Sequence, residues 1–293
     1  MPLGQRPRID VPIESLTLIA DDGVRLGARV YGEGDCDATA LMLPGVGVPQ
    51  RAFRHLASWL AARRVRCVTV ECRGMGESVT SEGTASATLS AWARLDVAAA
   101  LAHAESLGPE PVVLVAHSFG GQAVGLSDAL ARVRAAVFLA SQFGQARYWD
   151  GLSRWGLTFY WYVGLPLAAA VFDVLPGWTG PAGRLPRGVA REWALWGRSP
   201  NWYLDHDPEA ADRLRRFAAP ILAYAISDDD IAPPRAVTAF LERFSATTPI
   251  RRDLEPRQLG LERLGHVGLL RPGHHAEPVW DEILAFLLQQ SDN

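Results

Sequence analysis

Short apolar runs alternate with segments of helical periodicity along most of this chain, and this alternation constrains the fold more than any other feature. The predicted strands are residues 40–43, 112–116, 135–140 and 221–226, which are apolar, the β-branched run 66–71, and residues 250–254. Apolar residues recur at helical spacing in residues 50–64, 88–107, 120–132, 234–244 and 278–290. Strands separated by helices imply right-handed crossovers, so we predict an α/β fold with a mostly parallel, doubly wound sheet.

The alternation is preceded by a hairpin pattern and is interrupted once. Residues 15–20 and 24–31 flank an Asp21-Asp22-Gly23 turn, which predicts a β-hairpin. After residue 140 the alternation stops, and residues 142–217 contain seven of the ten tryptophans. We therefore predict an aromatic-rich helical cap at 142–217, inserted between two parts of one core, residues 1–141 and 218–293.

Charge and cysteine content exclude several classes of function. All 29 basic residues are Arg, so lysine Schiff-base and P-loop chemistry are excluded. A net charge of −3 provides no basic field for nucleic acid, which favours a small-molecule partner. The three cysteines have no CxxC spacing, which argues against a disulfide framework and a zinc site. Together with the polar segment at residues 1–15, they lead us to expect a cytoplasmic protein.

Residues 155–172 form an uncharged stretch of 18 residues, which reaches the lower length limit of a membrane span. Gly156, Gly164 and Pro166 interrupt it. We interpret the stretch as part of the cap and expect no membrane span. The alternative is an element that lies in a membrane surface or crosses it.

The string VVLVAHSFGGQ at 112–122 joins an apolar strand to a helix through a turn centred on Ser118. Such a sharp turn projects its central side chain from the sheet edge and needs small residues two positions before and after it. Ala116 and Gly120 meet that need, although Gly is usual at the first position. Ser118 is therefore a candidate nucleophile, and the alternative is an ordinary loop with a buried serine. The adjacent His117 is interpreted as a packing residue.

A serine nucleophile needs a base and a carboxylate that orients the base, and both follow in the chain. Asp228, Asp229 and Asp230 come directly after the predicted strand 221–226, at the end where α/β sheets carry their sites. His266 lies between Gly265 and Gly268, in the string GHVG. The glycines allow its imidazole to reach over the sheet edge, so His266 is the candidate base.

The chain resembles the α/β-hydrolase superfamily, and bacterial serine-aminopeptidase-like hydrolases within it, through five ordered motifs. These are LMLPGVG at 41–47, VECRGMGES at 70–78, AHSFGG at 116–121, SDDDIAPP at 227–234 and LGHVG at 264–268. The resemblance implies Ser118 as nucleophile, His266 as base and Asp229 as the acid, four residues before Pro233. It also implies an oxyanion hole from the backbone N–H groups of Phe119 and Val46, and no cofactor or metal.

Two positions depart from the family pattern. Pro44 stands where many members have His, and Glu71 stands where Asp commonly precedes the Arg-Gly pair. Because an oxyanion hole uses backbone N–H groups, the side chain at position 44 does not decide whether the hole forms.

The leading hypothesis is hydrolysis of carboxylic esters or thioesters through an acyl-enzyme. Residues 148–183 carry only three charges, so we expect an apolar pocket for a small-molecule acyl substrate, with Trp155 and Trp161 in its wall. The alternative role of the tryptophans is only to hold the cap on the sheet.

Three other functions remain open on the sequence. Amide hydrolysis at peptide N-termini would need acidic residues for the ammonium group, and the candidates are Asp150, Glu192, Asp205 and Asp207. Acyl transfer or cyclisation would use the same three residues, with a hydroxyl or amine of the substrate in place of water. A non-catalytic ligand receptor on the same scaffold is the fourth possibility.

Overall fold

Eight strands form one mixed sheet in the computed structural model, which describes residues 11–180, 182–273 and 275–291. The strands are β1 (Ile13–Ile19), β2 (Arg25–Tyr31), β3 (Ala38–Leu43), β4 (Val65–Val70), β5 (Val112–His117), β6 (Ala136–Leu139), β9 (Ile221–Ile226) and β10 (Ile250–Leu254). Their spatial order is β1-β2-β4-β3-β5-β6-β9-β10, and all neighbours from β4 onward are parallel. The predicted α/β class with a mostly parallel sheet is confirmed.

The N-terminal edge of the sheet is antiparallel. Strands β1 and β2 pair around the turn at 21–23, where Gly23 has a φ of +85°. Strand β2 then pairs antiparallel with β4, which connects the hairpin to the parallel sheet. The hairpin predicted from the Asp-Gly turn is therefore confirmed.

Helices cover both faces of the sheet, because side chains along each central strand alternate between two apolar layers. In β5, Val113 and Val115 belong to one buried cluster, and Leu114 and Ala116 belong to the other. Helices α1 (Arg54–Ala61) and α11 (Glu277–Ser291) pack in the first cluster. Helices α4 (Val97–Ser106) and α10 (Pro234–Leu241) pack in the second. A sheet covered on both faces matches the doubly wound arrangement.

The segment between β6 and β9 is mostly helical. It contains α6 (Gly151–Phe159), a π-helical turn (Tyr160–Gly164), α7 (Leu165–Val171), the short pair β7 (Val174–Leu175) and β8 (Leu185–Pro186), α8 (Arg187–Arg198) and α9 (Ala210–Arg216). Trp161, Trp196 and Trp202 share a buried cluster with Phe119, so the segment packs against the turn that carries Ser118. The three-part division 1–141, 142–217 and 218–293 stays a prediction.

Two predicted helices are interrupted. Residues 120–132 form only α5 (Phe119–Gln122) and two 3₁₀ turns, Ala123–Gly125 and Asp128–Arg132. Glycines at 120, 121 and 125 weaken a helix, and a Cβ at Gly125 would lie 2.6 Å from the Tyr203 hydroxyl. Residues 88–107 are helical but include a π-helical turn at Trp92–Asp96. Within the described ranges, no helix combines the length and apolar character needed to cross a membrane.

Candidate active site

Ser118 lies in a strained turn between the fully buried strand β5 and helix α5. Its backbone has φ 53° and ψ −116°, a conformation that costs energy for any residue other than glycine. The Ser118 N–H donates to the carbonyl of Leu139, 2.9 Å away, which holds the turn on the sheet edge. A Cβ at Gly120 would lie 2.4 Å from the carbonyl oxygen of Leu43, so the glycine permits this close packing. The predicted strand–turn–helix geometry is present.

Asp229 and His266 are in direct contact, although 37 residues separate them in the chain. The Asp229 Oδ2 atom lies 2.7 Å from His266 Nδ1. Its other oxygen accepts hydrogen bonds from the N–H groups of Ile231 (2.8 Å) and Ala232 (2.9 Å), and the side chain is buried. A carboxylate fixed in this way keeps the proton of His266 on Nδ1 and leaves Nε2 as the basic nitrogen.

The two neighbouring aspartates have different surroundings. Asp228 accepts hydrogen bonds from the N–H groups of Leu264 (2.9 Å) and Gly265 (3.0 Å), directly before His266. Asp230 is exposed and lies 3.3 Å from Arg263. Asp228 thus holds the loop of the base. That contact joins distant parts of the chain, and nothing in the local sequence indicates it.

His117 contributes to the site in a way that the sequence reasoning missed. Its Nε2 lies 2.8 Å from the carbonyl oxygen of His266, which can only accept, so the Nε2–H of His117 donates. The two imidazole rings are 4.5 Å apart, centroid to centroid. Burial lowers the pKa of His117 to about 3, which keeps the ring neutral. His117, which directly precedes Ser118, therefore positions the backbone of His266 and connects it to the turn that carries Ser118.

The backbone groups predicted as oxyanion donors lie on either side of Ser118. Phe119 is the first residue of α5, and its N–H has no acceptor inside the helix. Val46 follows β3 in a loop that packs tightly on Ser118, since a Cβ at Gly45 would lie 2.8 Å from the Ser118 Cβ. Ser118, Phe119 and Val46 line one cavity. Within the described ranges, the Ser118 hydroxyl makes no hydrogen bond.

That cavity has a volume of about 370 Å³ and a mainly aromatic wall. Its lining includes Trp149, Tyr160, Trp161, Trp193 and Trp202 beside Leu157 and Ile231. Three indole N–H groups are used inside the protein: Trp149 donates to Asp230 O, Trp161 to Gly144 O and Trp202 to Gln122 Oε1. These bonds fix the rings and leave apolar surface facing the cavity.

A family model described as "Alpha/beta hydrolase family" matches residues 40–278, most of the chain. The chain belongs to the α/β hydrolase family. The match extends over the Ser118 turn, the loop with Asp228, Asp229 and Asp230, and His266. A search of curated protein sequences finds no match.

Solved structures similar to this α/β hydrolase confirm the fold. The structure of DcsB in complex with a substrate analogue is 18% identical, with a TM-score of 0.65 over 96% of this chain and 100% of that chain. Est1E from Butyrivibrio proteoclasticus with ferulic acid is 20% identical, with a TM-score of 0.63 over 94% and 99%. GrgF from Penicillium sp. sh18 is 17% identical, with a TM-score of 0.66 over 96% and 100%. At these identities, the similarity concerns the fold alone.

The two tryptophans predicted for the hydrolase's pocket have opposite environments. Trp161 lines the cavity and is buried. Trp155 is 71% exposed and does not line the cavity, so its predicted place in the pocket wall is wrong. The reason is helical geometry: six residues place the two side chains on different faces of α6 and the following π-helical turn.

The acidic residues considered for binding an ammonium group are engaged elsewhere. Asp150 pairs with Arg235, Glu192 accepts from Ser90, Asp205 accepts from Asn201, and Asp207 pairs with Arg94 and Arg213. None of the four lines the cavity beside Ser118. Across the part of the chain that the structure describes, no group of three or more His, Cys, Asp or Glu side chains is arranged to hold a metal ion.

Proposed function

We propose that this α/β hydrolase cleaves carboxylic esters or thioesters with Ser118 as nucleophile, His266 as base and Asp229 as the orienting acid. The observation that carries the proposal is the 2.7 Å contact between Asp229 Oδ2 and His266 Nδ1. His117 connects this pair to the strained turn of Ser118, and the hydroxyl of Ser118 opens into an apolar cavity. The three residues follow one another in the chain order expected for the family.

In the first half of the reaction, the Ser118 oxygen attacks the carbonyl carbon of the ester while His266 Nε2 takes the hydroxyl proton. The negative charge that develops on the carbonyl oxygen is stabilised by the N–H groups of Phe119 and Val46. Asp229 stabilises the imidazolium that forms. The tetrahedral intermediate then collapses, the C–O bond to the alcohol breaks, and His266 returns the proton to the leaving oxygen.

In the second half, His266 removes a proton from water, which attacks the carbonyl carbon of the acyl-enzyme. Collapse of the second tetrahedral intermediate releases the carboxylic acid and restores the Ser118 hydroxyl. All protons move through His266, so besides the substrate and water the proposed chemistry uses only side chains and backbone of this chain.

We further propose that segment 142–217 is a cap whose aromatic wall selects an apolar or aromatic group of the substrate. The bound ferulic acid of Est1E is an aromatic acid, and this supports a similar acyl group here. The four acidic candidates are held elsewhere, and Asp230, which lines the cavity, is paired with Arg263. An ester therefore fits the cavity better than a peptide N-terminus. The three free cysteines suit a reducing compartment, and we place the protein in the cytoplasm.

Covalent labelling with a fluorophosphonate tests the proposal. The wild-type protein should be labelled at Ser118, Ser118→Ala should not be labelled, and Ser153→Ala should be labelled as the wild type is, since Ser153 lines the same cavity. Before labelling, the wild-type protein should cleave p-nitrophenyl esters, and it should cleave aminoacyl anilides far more slowly. Folded wild-type protein without labelling, or labelling that persists in Ser118→Ala, would contradict the proposal.

A further inference from the structure

Helices α6 and α7, with the π-helical turn between them, carry a continuous row of exposed apolar side chains. We call it the outer apolar face, and its members are 44% to 89% exposed: Leu152, Trp155, Phe159, Tyr162, Val163, Leu167 and Val171. Apart from the adjacent pair 162 and 163, successive members are three or four residues apart, so they share one side of the helical run. The row is on the order of 28 Å long.

The size of the outer apolar face requires an explanation. An aromatic side chain presents about 150–250 Å² when it is fully accessible, and three of the seven members are aromatic and more than half exposed. The face therefore exceeds the few hundred Å² that are typical of the largest apolar patch on a monomer. None of its members contributes to the cavity beside Ser118.

The outer apolar face is almost uncharged. Within residues 151–172 the sequence has one charged residue, Arg154. The acidic residues at the two ends are neutralised by arginines outside the run: Asp150 lies 2.8 Å from Arg235, and Asp173 lies 2.9 Å from Arg187. A surface of this kind has no electrostatic preference for a charged partner and matches an uncharged or zwitterionic one.

The same helical run reaches the cavity from its inner side. Ser153, Gly156, Leu157 and Tyr160 alternate along the run with the outer apolar face, and they line the cavity that holds Ser118. Helix α6 has no buried residue and contributes Ser153, Gly156 and Leu157 to the lining, so this single helix lies between the cavity and the outside. An apolar molecule that reaches the outer side of α6 is therefore close to the cavity.

We propose that the outer apolar face docks on the surface of a zwitterionic lipid assembly, such as a phosphatidylcholine bilayer or micelle. Residues 151–156 are all exposed, although Ser153 and Gly156 also line the cavity, so this end of the run projects from the surface. A fluid lipid phase adapts to such a projecting end around its outer apolar side chains, whereas a second copy of the chain would have to offer a groove of matching shape. Its tryptophan and tyrosine side chains are those that prefer the interface between lipid and water.

Flotation with phosphatidylcholine vesicles tests this docking. The full chain is used as the Ser118→Ala variant, so that binding is measured without turnover and independently of the proposed chemistry. We expect it to float with the vesicles equally in 0.1 M and 1 M salt, because no net charge is involved. The triple variant Trp155→Ser, Phe159→Ser, Leu167→Ser should bind at least tenfold more weakly.

A matched control replaces three exposed apolar residues on the edge strands, Ile13→Ser, Ile19→Ser and Ile250→Ser, and should bind as the parent does. Both triple variants are compared by circular dichroism and thermal midpoint, and Trp155→Ser alone serves if the first triple variant does not fold. When the first triple substitution is made in the protein with Ser118 intact, that protein should retain turnover of dissolved p-nitrophenyl acetate.

Four results would overturn the proposal. The first is that the parent does not float, and the second is that both triple variants lose binding equally. The third is flotation that requires anionic lipid and is lost in 1 M salt. The fourth is a dimer, seen by light scattering, that the first triple variant abolishes while neither form binds vesicles. The third result would assign binding to the arginines. The fourth would make a second copy of the chain the partner of this face.

Discussion

The carboxyl edge of the sheet and the helical run 151–171 are both rich in apolar residues, yet their environments are opposite. Strands β5 and β9 are buried along their whole length, and Asp228 and Asp229 at this edge have fixed hydrogen-bond partners. In the helical run, seven apolar side chains face outward. Groups that must align to within a fraction of an ångström are placed on the rigid region. The region with exposed apolar surface is suited to contact with a less ordered partner.

The largest expected effect tests whether the chemistry belongs to the sheet edge alone. Asp229→Asn should reduce kcat for a p-nitrophenyl ester by about 10⁴, because the amide favours the wrong tautomer of His266 and does not stabilise the imidazolium. Asp230→Asn, the matched exposed neighbour, should reduce it by at most about tenfold, a change of about 1.4 kcal/mol in the barrier. A crippled Asp230→Asn with an active Asp229→Asn would reverse the assignment of the acid.

These two regions also differ in how far the sequence predicts them. Strands 221–226 and 250–254 are found with the predicted bounds. For 221–226 the reason is its continuous apolar run, which fits only inside the sheet, whereas 250–254 is a polar edge strand. The contact between Asp229 and His266 is likewise present. Local periodicity is sufficient for the strand 221–226, and the order of the family motifs is sufficient for the pair of Asp229 and His266, although 37 residues separate them.

The remaining features depend on tertiary contacts that a local pattern does not encode. The roles of His117 and Asp228 arise from bonds to the loop 264–266, far away in the chain. Trp155 and Trp161 are both apolar members of one helical run, and only the packing of α6 decides that one is exposed and the other buried. In the interrupted helix 120–132, Gly125 leaves room for Tyr203, a contact that the local pattern does not indicate.

The second expected effect concerns stability and compares a buried ion pair with an exposed one. Arg73 is fully buried, and its Nε lies 2.7 Å from Oδ1 of Asp96, which is also buried. Arg73→Met should reduce the free energy of unfolding by about 3–5 kcal/mol, since it leaves the buried carboxyl group of Asp96 without its partner. Arg132→Met, which removes the exposed pair with Glu105, should cost at most about 1 kcal/mol. Urea unfolding measures both, and equal losses would contradict the distinction.

The third expected effect is a pH dependence of stability caused by Glu71, which directly follows β4 at the carboxyl edge of the sheet. Burial raises the pKa of Glu71 from its usual 4.5 to about 7. The unfolded chain then loses this proton at a lower pH than the folded one, so the free energy of unfolding falls as the pH rises from about 4.5 to about 7. Relative to Glu71→Gln, wild type should lose about 2 kcal/mol between pH 5 and pH 8. A difference independent of pH would show that Glu71 titrates normally.

The smallest expected effect separates the inner side of the helical region from its outer side. The ring of Trp193 lines the cavity and lies 5.0 Å from that of Trp161, centroid to centroid, whereas Trp155 is on the outer apolar face. Trp193→Ala should lower kcat/KM for an ester with an aromatic acyl group by about five- to tenfold, about 1 kcal/mol, through lost contact with the bound group. It should change kcat/KM for a dissolved acetate ester much less, since acetate does not extend to this wall.

The control Trp155→Ala should leave both kcat/KM values unchanged in solution. If Trp155→Ala produced the same loss for the aromatic ester, the inner and outer sides would act as one surface, and the distinction between a cavity wall and a docking face would be wrong.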